Sequence, residues 1–258
     1  MTIPSRLDLA SNRLTVATLD FLCQHAGPTL TKLCMSNNNL GPMALQRLPD
    51  LFSACTSLKT LELSSCDLGD YMLLDNTTIE KYNQMRLDDD AVPVELDISQ
   101  NHFDGDMLSG WTPYLVKLGR IQKLQCRGIT TDSPWDTLGL LSDLPFLTSL
   151  DLDDTAASSW SASDLRDILQ KSIHLERLSL CNCYLTPQDV TTICQGVAVS
   201  SYLRWLSLSN NRRVNLTIAQ AVNDMNSDLT ANTCDCGLTS QHHPAFCQCR
   251  NIGDTGNL

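Results

Sequence analysis

Two cysteine pairs are the first residues in this sequence whose type and spacing suggest chemistry: Cys234-Asp-Cys236 and Cys247-Gln-Cys249, with His242 and His243 between them. Four deprotonated thiols can ligate zinc tetrahedrally, so Cys234, Cys236, Cys247 and Cys249 form a candidate metal set. The pairs are C-x-C rather than the stronger C-x-x-C, and the loop between them is short. Abundant Gly, Asn and Thr and few apolar residues also fit an unstructured tail, so both readings stay open. The carboxylates Asp97 and Asp151 could mimic a general acid/base pair, but they come from different repeats and no pocket is implied. His25, His102 and His174 sit near unit ends or in a turn. The sequence has no phosphate-cradling GxxxxGK[ST], no GxGxxG, no HExxH and no GxSxG. The expectation is a protein without catalytic residues or a cofactor.

Composition narrows the partners. The 258 residues are 42% hydrophobic and 18% charged, which is globular. With 29 Asp and Glu against 18 Lys and Arg, the net charge of −11 argues against a nucleic-acid backbone or an anionic membrane as partner. No apolar run approaches the ~20 residues of a membrane span. The opening residues lack a secretory pattern, so the 12 cysteines are expected reduced, in the cytoplasm.

The elements that position these residues repeat. Leu30, Leu33, Met35, Asn38 and Leu40 read LxxLxLxxNxL, and the pattern recurs along the chain. Copies start near residues 4, 30, 58, 93, 121, 147, 175 and 203, mostly 26 to 28 apart, with one interval of 35. The copy at 121 is degenerate and lacks the Asn. Alternating leucines such as Leu61 and Leu63 imply a short strand with one buried face. Successive strands must run parallel, because the chain returns to the same side before each restart.

The return segments have helical spacing: Phe103, Met107, Trp111 and Leu115, then Leu165 and Leu169, then Ile193 and Val197. Thr186-Pro187-Gln188-Asp189 is a helix start with a hydroxyl cap, Pro at the first position and an acid in the first turn. Ser133-Pro134 and Gly41-Pro42 resemble it, and Ser161 with Asp164 has capping-box spacing. Asn12, Asn38, Asn101 and Asn211 leave each strand at one turn position, with Cys66 and Cys183 in the same slot. An amide can donate and accept at once, so these six residues are expected to form a structural ladder that satisfies the buried turns.

LxxLxL followed by Asn or Cys, with a helix in each unit, resembles leucine-rich repeats, and the period resembles their ribonuclease-inhibitor subtype. The resemblance implies an α/β horseshoe of about eight repeats, with parallel strands on the concave face and helices on the convex face. It places the solenoid over residues 1–229 and leaves residues 230–258 as a Cys-rich, poorly ordered tail. Cys234-Asp-Cys236-Gly-Leu also resembles the disulfide-bonded flank of extracellular repeats, but without its tryptophan and wide cysteine spacing. Two departures stand out. The interval from 58 to 93 holds extra residues, and Asp75 to Asp90 break the helix pattern as an acidic excursion. The first strand comes with no polar capping helix, so a partner or a longer array is expected to cover that edge.

Residues between the buried leucines face the open side. Glu62, Glu95, Asp97, Asp151, Asp153 and Asp154 make the centre acidic. The ends carry Arg6, Lys32, Arg177 and Arg204, with Trp205 as the aromatic anchor and Tyr184 nearby. A concavity lined by one charge steers an opposite partner. The expected function is therefore a non-enzymatic scaffold that binds a basic protein on this face. The resemblance also allows a small-GTPase regulator like the Ran GTPase-activating proteins, or the sensing arm of a NOD-like receptor.

Overall fold

The computed structural model describes residues 4–69, 76–84, 92–103, 105–211 and 230–232. Nine strands form one parallel sheet: β1 (Arg6–Asp8), β2 (Lys32–Cys34), β3 (Thr60–Glu62), β4 (Val94–Asp97), β6 (Ile121–Gln125), β8 (Ser149–Asp151), β9 (Arg177–Ser179), β10 (Trp205–Ser207) and β11 (Thr230–Asn232). The two missing numbers, β5 (His102–Phe103) and β7 (Thr130–Thr131), pair with each other in a second small sheet. Leu7, Leu33, Leu61, Leu96, Leu124, Leu150, Leu178 and Leu206 lie in one register, as the repeat spacing requires. The register continues to Ala231 in β11, so the solenoid passes the boundary expected at residue 229. With alanine in place of the leucine, that strand carries no repeat signature.

The helices α1 (Val16–His25), α2 (Met43–Gln46), α3 (Leu48–Ala54), α4 (Asn76–Gln84), α5 (Gly105–Leu118), α6 (Ala162–Lys171) and α7 (Pro187–Val199) return the chain between strands. Strands stack about 4.8 Å apart while packed helices need about 10 Å, so a sheet backed by helices curves with its bare face inward. One core runs between the two layers. Leu33, Leu61, Leu96, Leu124 and Leu150 are fully buried, and Trp111, Leu115, Leu165 and Ile193 meet them from the helices. Gly196 lets α6 and α7 approach closely, since an added Cβ would lie 2.9 Å from Arg166 Cα.

Several local expectations change. The excursion contains α4, because Tyr82 is buried among the helices, donates to Leu45 O at 2.8 Å and accepts from Trp111 Nε1 at 3.2 Å. Asp75 and residues 85–90 lie outside the described residues, as does the side chain of Met107. Ser133-Pro134 starts no α-helix; that unit returns through a 3-10 helix at Leu138–Asp143. Phe103 belongs to β5, not to the helix. Thr186 and Asp189 form the full capping box of α7, whereas Ser161 accepts from Ser163 N instead of Asp164 N.

The turns repeat as closely as the strands. Asn101 Oδ1 accepts from Cys66 N at 2.9 Å and Leu68 N at 3.2 Å, while its Nδ2 donates to Leu63 O, Ile98 O and Ser99 O. Asn38 and Asn211 make the same reach into the preceding unit. Cys66 and Cys183 keep the donor half, with Sγ bonds of 3.1 Å to Met35 O and Leu152 O. Asn12 is exposed and its amide donates to Ala10 O in its own turn. The degenerate unit has Ile129 in the slot, and there the pairing of β5 with β7 holds the turns together. The residue before each slot has left-handed φ: Ser11, Asn37, Ser65, Gln100, Gly128, Asp154, Asn182 and Asn210.

Candidate functional site

The bare face of the sheet presents two rows of side chains. The first holds Arg6, Lys32, Thr60, Glu95, Lys123, Ser149, Arg177 and Trp205, and the second Asp8, Cys34, Glu62, Asp97, Gln125, Asp151, Ser179 and Ser207. Both are in strand register, so they stand two residues apart on one side of the pleat. The first row carries more cations than anions, and every charged member of the second is acidic. The charge is thus striped along the solenoid, not simply acidic at the centre and basic at the ends.

Part of it is neutralised from within. Lys32 Nζ lies 2.5 Å from Glu62 Oε1, and Lys123 Nζ lies 2.5 Å from Glu95 Oε1, each pair spanning neighbouring strands. Burial pushes the Glu62 carboxyl up, but hydrogen bonds from Lys32 and Cys34 hold it below its usual value. Glu62 and Glu95, two of the expected contacts for a basic partner, are therefore already paired.

Asp97 and Asp151 are placed differently. Each turns one oxygen back to the chain, with Asp97 Oδ1 accepting from Ser99 N at 2.9 Å and Asp151 Oδ1 from Asp153 N at 3.0 Å. The Asx turn engages one oxygen of each carboxylate. The cation near Asp151 is Arg127, whose guanidinium lies 3.9 Å from Asp151, Asp153 and Asp154 alike, beyond hydrogen-bond reach of any. Burial, then the neighbouring Asp153 charge, push the Asp151 carboxyl up to about 6. This is a carboxylate cluster short of positive charge.

Two expected contacts have other duties. Asp153 is buried, and its Oδ1 accepts from Ser179 Oγ at 2.6 Å and Cys181 N at 2.7 Å. It does for the next unit what Ser36 and Ser99 do when their hydroxyls accept from Ser64 N and Arg127 N. Asp154 holds the left-handed turn position and accepts from Asn182 Nδ2 at 2.9 Å. Tyr184 is 67% exposed but lies in a turn beyond the strands, at the rim of the face. Arg204 is exposed just before β10, and Trp205 is half-buried on the wall itself. The Arg177 guanidinium lies 4.6 Å from the Trp205 ring centroid.

Sequence reasoning missed Arg127 and the stacking of Arg177 on Trp205. Arg127 follows Leu124 by three residues, where the other units have Ser, Asp, Ala or Cys, and that register position was the available signal. Among the described residues, no group of three or more His, Cys, Asp or Glu has metal-site geometry. Cys234, Cys236, Cys247 and Cys249 lie outside the described residues.

The leucine-rich repeat family model matches residues 54–70, which span the end of α3, β3 and the turn after it. No curated protein matches. Among solved structures, the chain is similar to the leucine-rich repeat-containing protein LegL7 from Legionella pneumophila, at 17% identity and a TM-score of 0.42, covering 84% of this chain and 79% of that one. It is also similar to a chain of the TLR13-ssRNA13 complex, at 15% identity and a TM-score of 0.35, covering 72% of this chain and 30% of that one. Repeat signature, strand register and turn ladder together give the chain the fold of a leucine-rich repeat solenoid.

Proposed function

We propose that this leucine-rich repeat solenoid is a non-enzymatic interaction scaffold that grips a basic protein segment on its concave wall. The observation that carries the reading is Asp151, with Asp97 and Asp154 near it in the register and Arg127 too far to bond any carboxylate of the cluster. A partner cation would complete what Arg127 leaves undone and lift the cost of keeping Asp151 charged while partly buried. The regular spacing and the helix in most units support the ribonuclease-inhibitor subtype. Cys66 and Cys183 donate as thiols to backbone carbonyls, which supports a reducing compartment such as the cytoplasm.

Photo-crosslinkers placed at Ser149 on the wall and at Gln188 on α7 test the proposal. Ser149 should capture net-basic proteins that Gln188 does not. Asp97→Lys with Asp151→Lys should abolish that capture in a protein that still unfolds cooperatively on heating. Equal capture from the two positions would place the interface elsewhere.

A further inference from the structure

The partner's segment carries more than positive charge. We infer that Arg177, lying over the Trp205 ring, is a docking point for a carboxylate of the partner. The bound segment is then zwitterionic, with a Lys or Arg over Asp151 and an Asp or Glu over Arg177. This rests on the concave-wall reading and names the chemistry of its ligand.

Arg177 is exposed on the first row, between Ser149 and Trp205 in strand register. The Trp205 ring, with its centroid 4.6 Å from the guanidinium, restricts the cation through its π face without using its N–H donors. An orienting ring removes much of the entropy a free arginine loses on binding, and leaves a fork matched to a carboxylate. Lys32, Lys123 and Arg127 each have a carboxylate within ion-pair distance; Arg177 has none among the described residues. Its neighbours on the wall, Ser149, Ser179 and Ser207, are short, so a backbone can approach.

The spacing selects the ligand. Asp151 and Arg177 are one strand and two residues apart, which is about 8 Å. In an extended segment, side chains two positions apart share a side and stand about 7 Å apart. A basic residue and an acidic residue separated by one position therefore fit Asp151 and Arg177 together. A purely basic segment would bring a cation against Arg177.

Selection of a random peptide library on the intact protein tests this. Wild type should enrich Lys or Arg with Asp or Glu two positions away. Arg177→Gln should keep the basic enrichment and lose the acidic one, and a synthetic peptide of the recovered sequence should bind it about tenfold more weakly. Arg177→Lys, which keeps the charge but not the fork, should fall between the two. Trp205 reports occupancy, because Trp111, Trp135 and Trp160 are buried, so bound peptide should shield tryptophan fluorescence from iodide. Thermal unfolding of both variants checks that the wall is intact. Basic enrichment without acidic enrichment, or acidic enrichment undiminished in a folded Arg177→Gln, overturns the Arg177 assignment and leaves the concave-wall reading standing. Loss of basic enrichment in wild type, with Trp205 unshielded, overturns both.

Discussion

Between β2 and β6 each glutamate of the inner wall has a lysine on an adjacent strand, Glu62 with Lys32 and Glu95 with Lys123. Between β8 and β10 the pattern stops: Asp151 shares a distant Arg127 with two other carboxylates, and Arg177 rests on an aromatic ring. The central strand leucines share one register and are buried in both halves, although the pairing of β4 with β6 shifts between Val94 and Glu95. The difference lies in which cations fall on neighbouring strands at the matching position. A repeat fold thus separates the scaffold, set by the buried alternate residues, from the binding surface, set by the residues between them.

Leucine truncation tests the sameness of the scaffold. Leu61→Ala and Leu178→Ala, one from each half, should each lower the unfolding free energy by about 2–5 kcal/mol. Urea titration measures both, and a loss below about 0.5 kcal/mol at either site would mean that its leucine is not core. The charge difference should appear with pH. The Asp151 carboxyl is raised from 3.8 to about 6 in the folded chain, so folding favours its protonated form. Its ionisation then weakens the fold fully above about pH 6, and the penalty fades as pH falls toward 4. Asp151→Asn, which keeps the acceptor for Asp153 N, should raise stability near pH 7 by up to about 3 kcal/mol and lose its effect as pH falls below about 3.8. A gain that persists at low pH would assign the effect to packing. The smallest change belongs to the self-paired half: Lys32→Gln removes the partner of Glu62 from an exposed site and should cost less than about 1 kcal/mol, least at high salt.

The sequence displayed the strand register, because burial on one side of a strand imposes a two-residue pattern that leucine reveals. It also displayed the turn slot, since Asn38, Asn101 and Asn211 are unusual in being buried amides. It hid what depends on neighbours about 28 residues away. The Lys32–Glu62 and Lys123–Glu95 pairs needed the register to be applied to charges as well as to leucines. Asp153 looked like a surface acid because its partners, Ser179 and Cys181, lie in the next unit. α4 was illegible because one buried hydrophobic side chain, Tyr82, anchors an otherwise polar helix. The left-handed turn positions carry Ser, Asn, Gln, Asp and Gly, with no common letter to mark them.

Arg120 ties separate units into one. It is 7% exposed, and its guanidinium donates to Phe52 O, Thr56 O, Leu58 O and Val92 O over the Phe52 ring. These carbonyls lie at the end of α3 and on both sides of the long interval, so an arginine from beyond α5 fastens together the two flanks of the region where the repeat length changes. An array in which each unit meets only its neighbours can fray unit by unit. Here the third and fourth units should open only together with the end of the second, and amide hydrogen exchange should find them as one cooperative block.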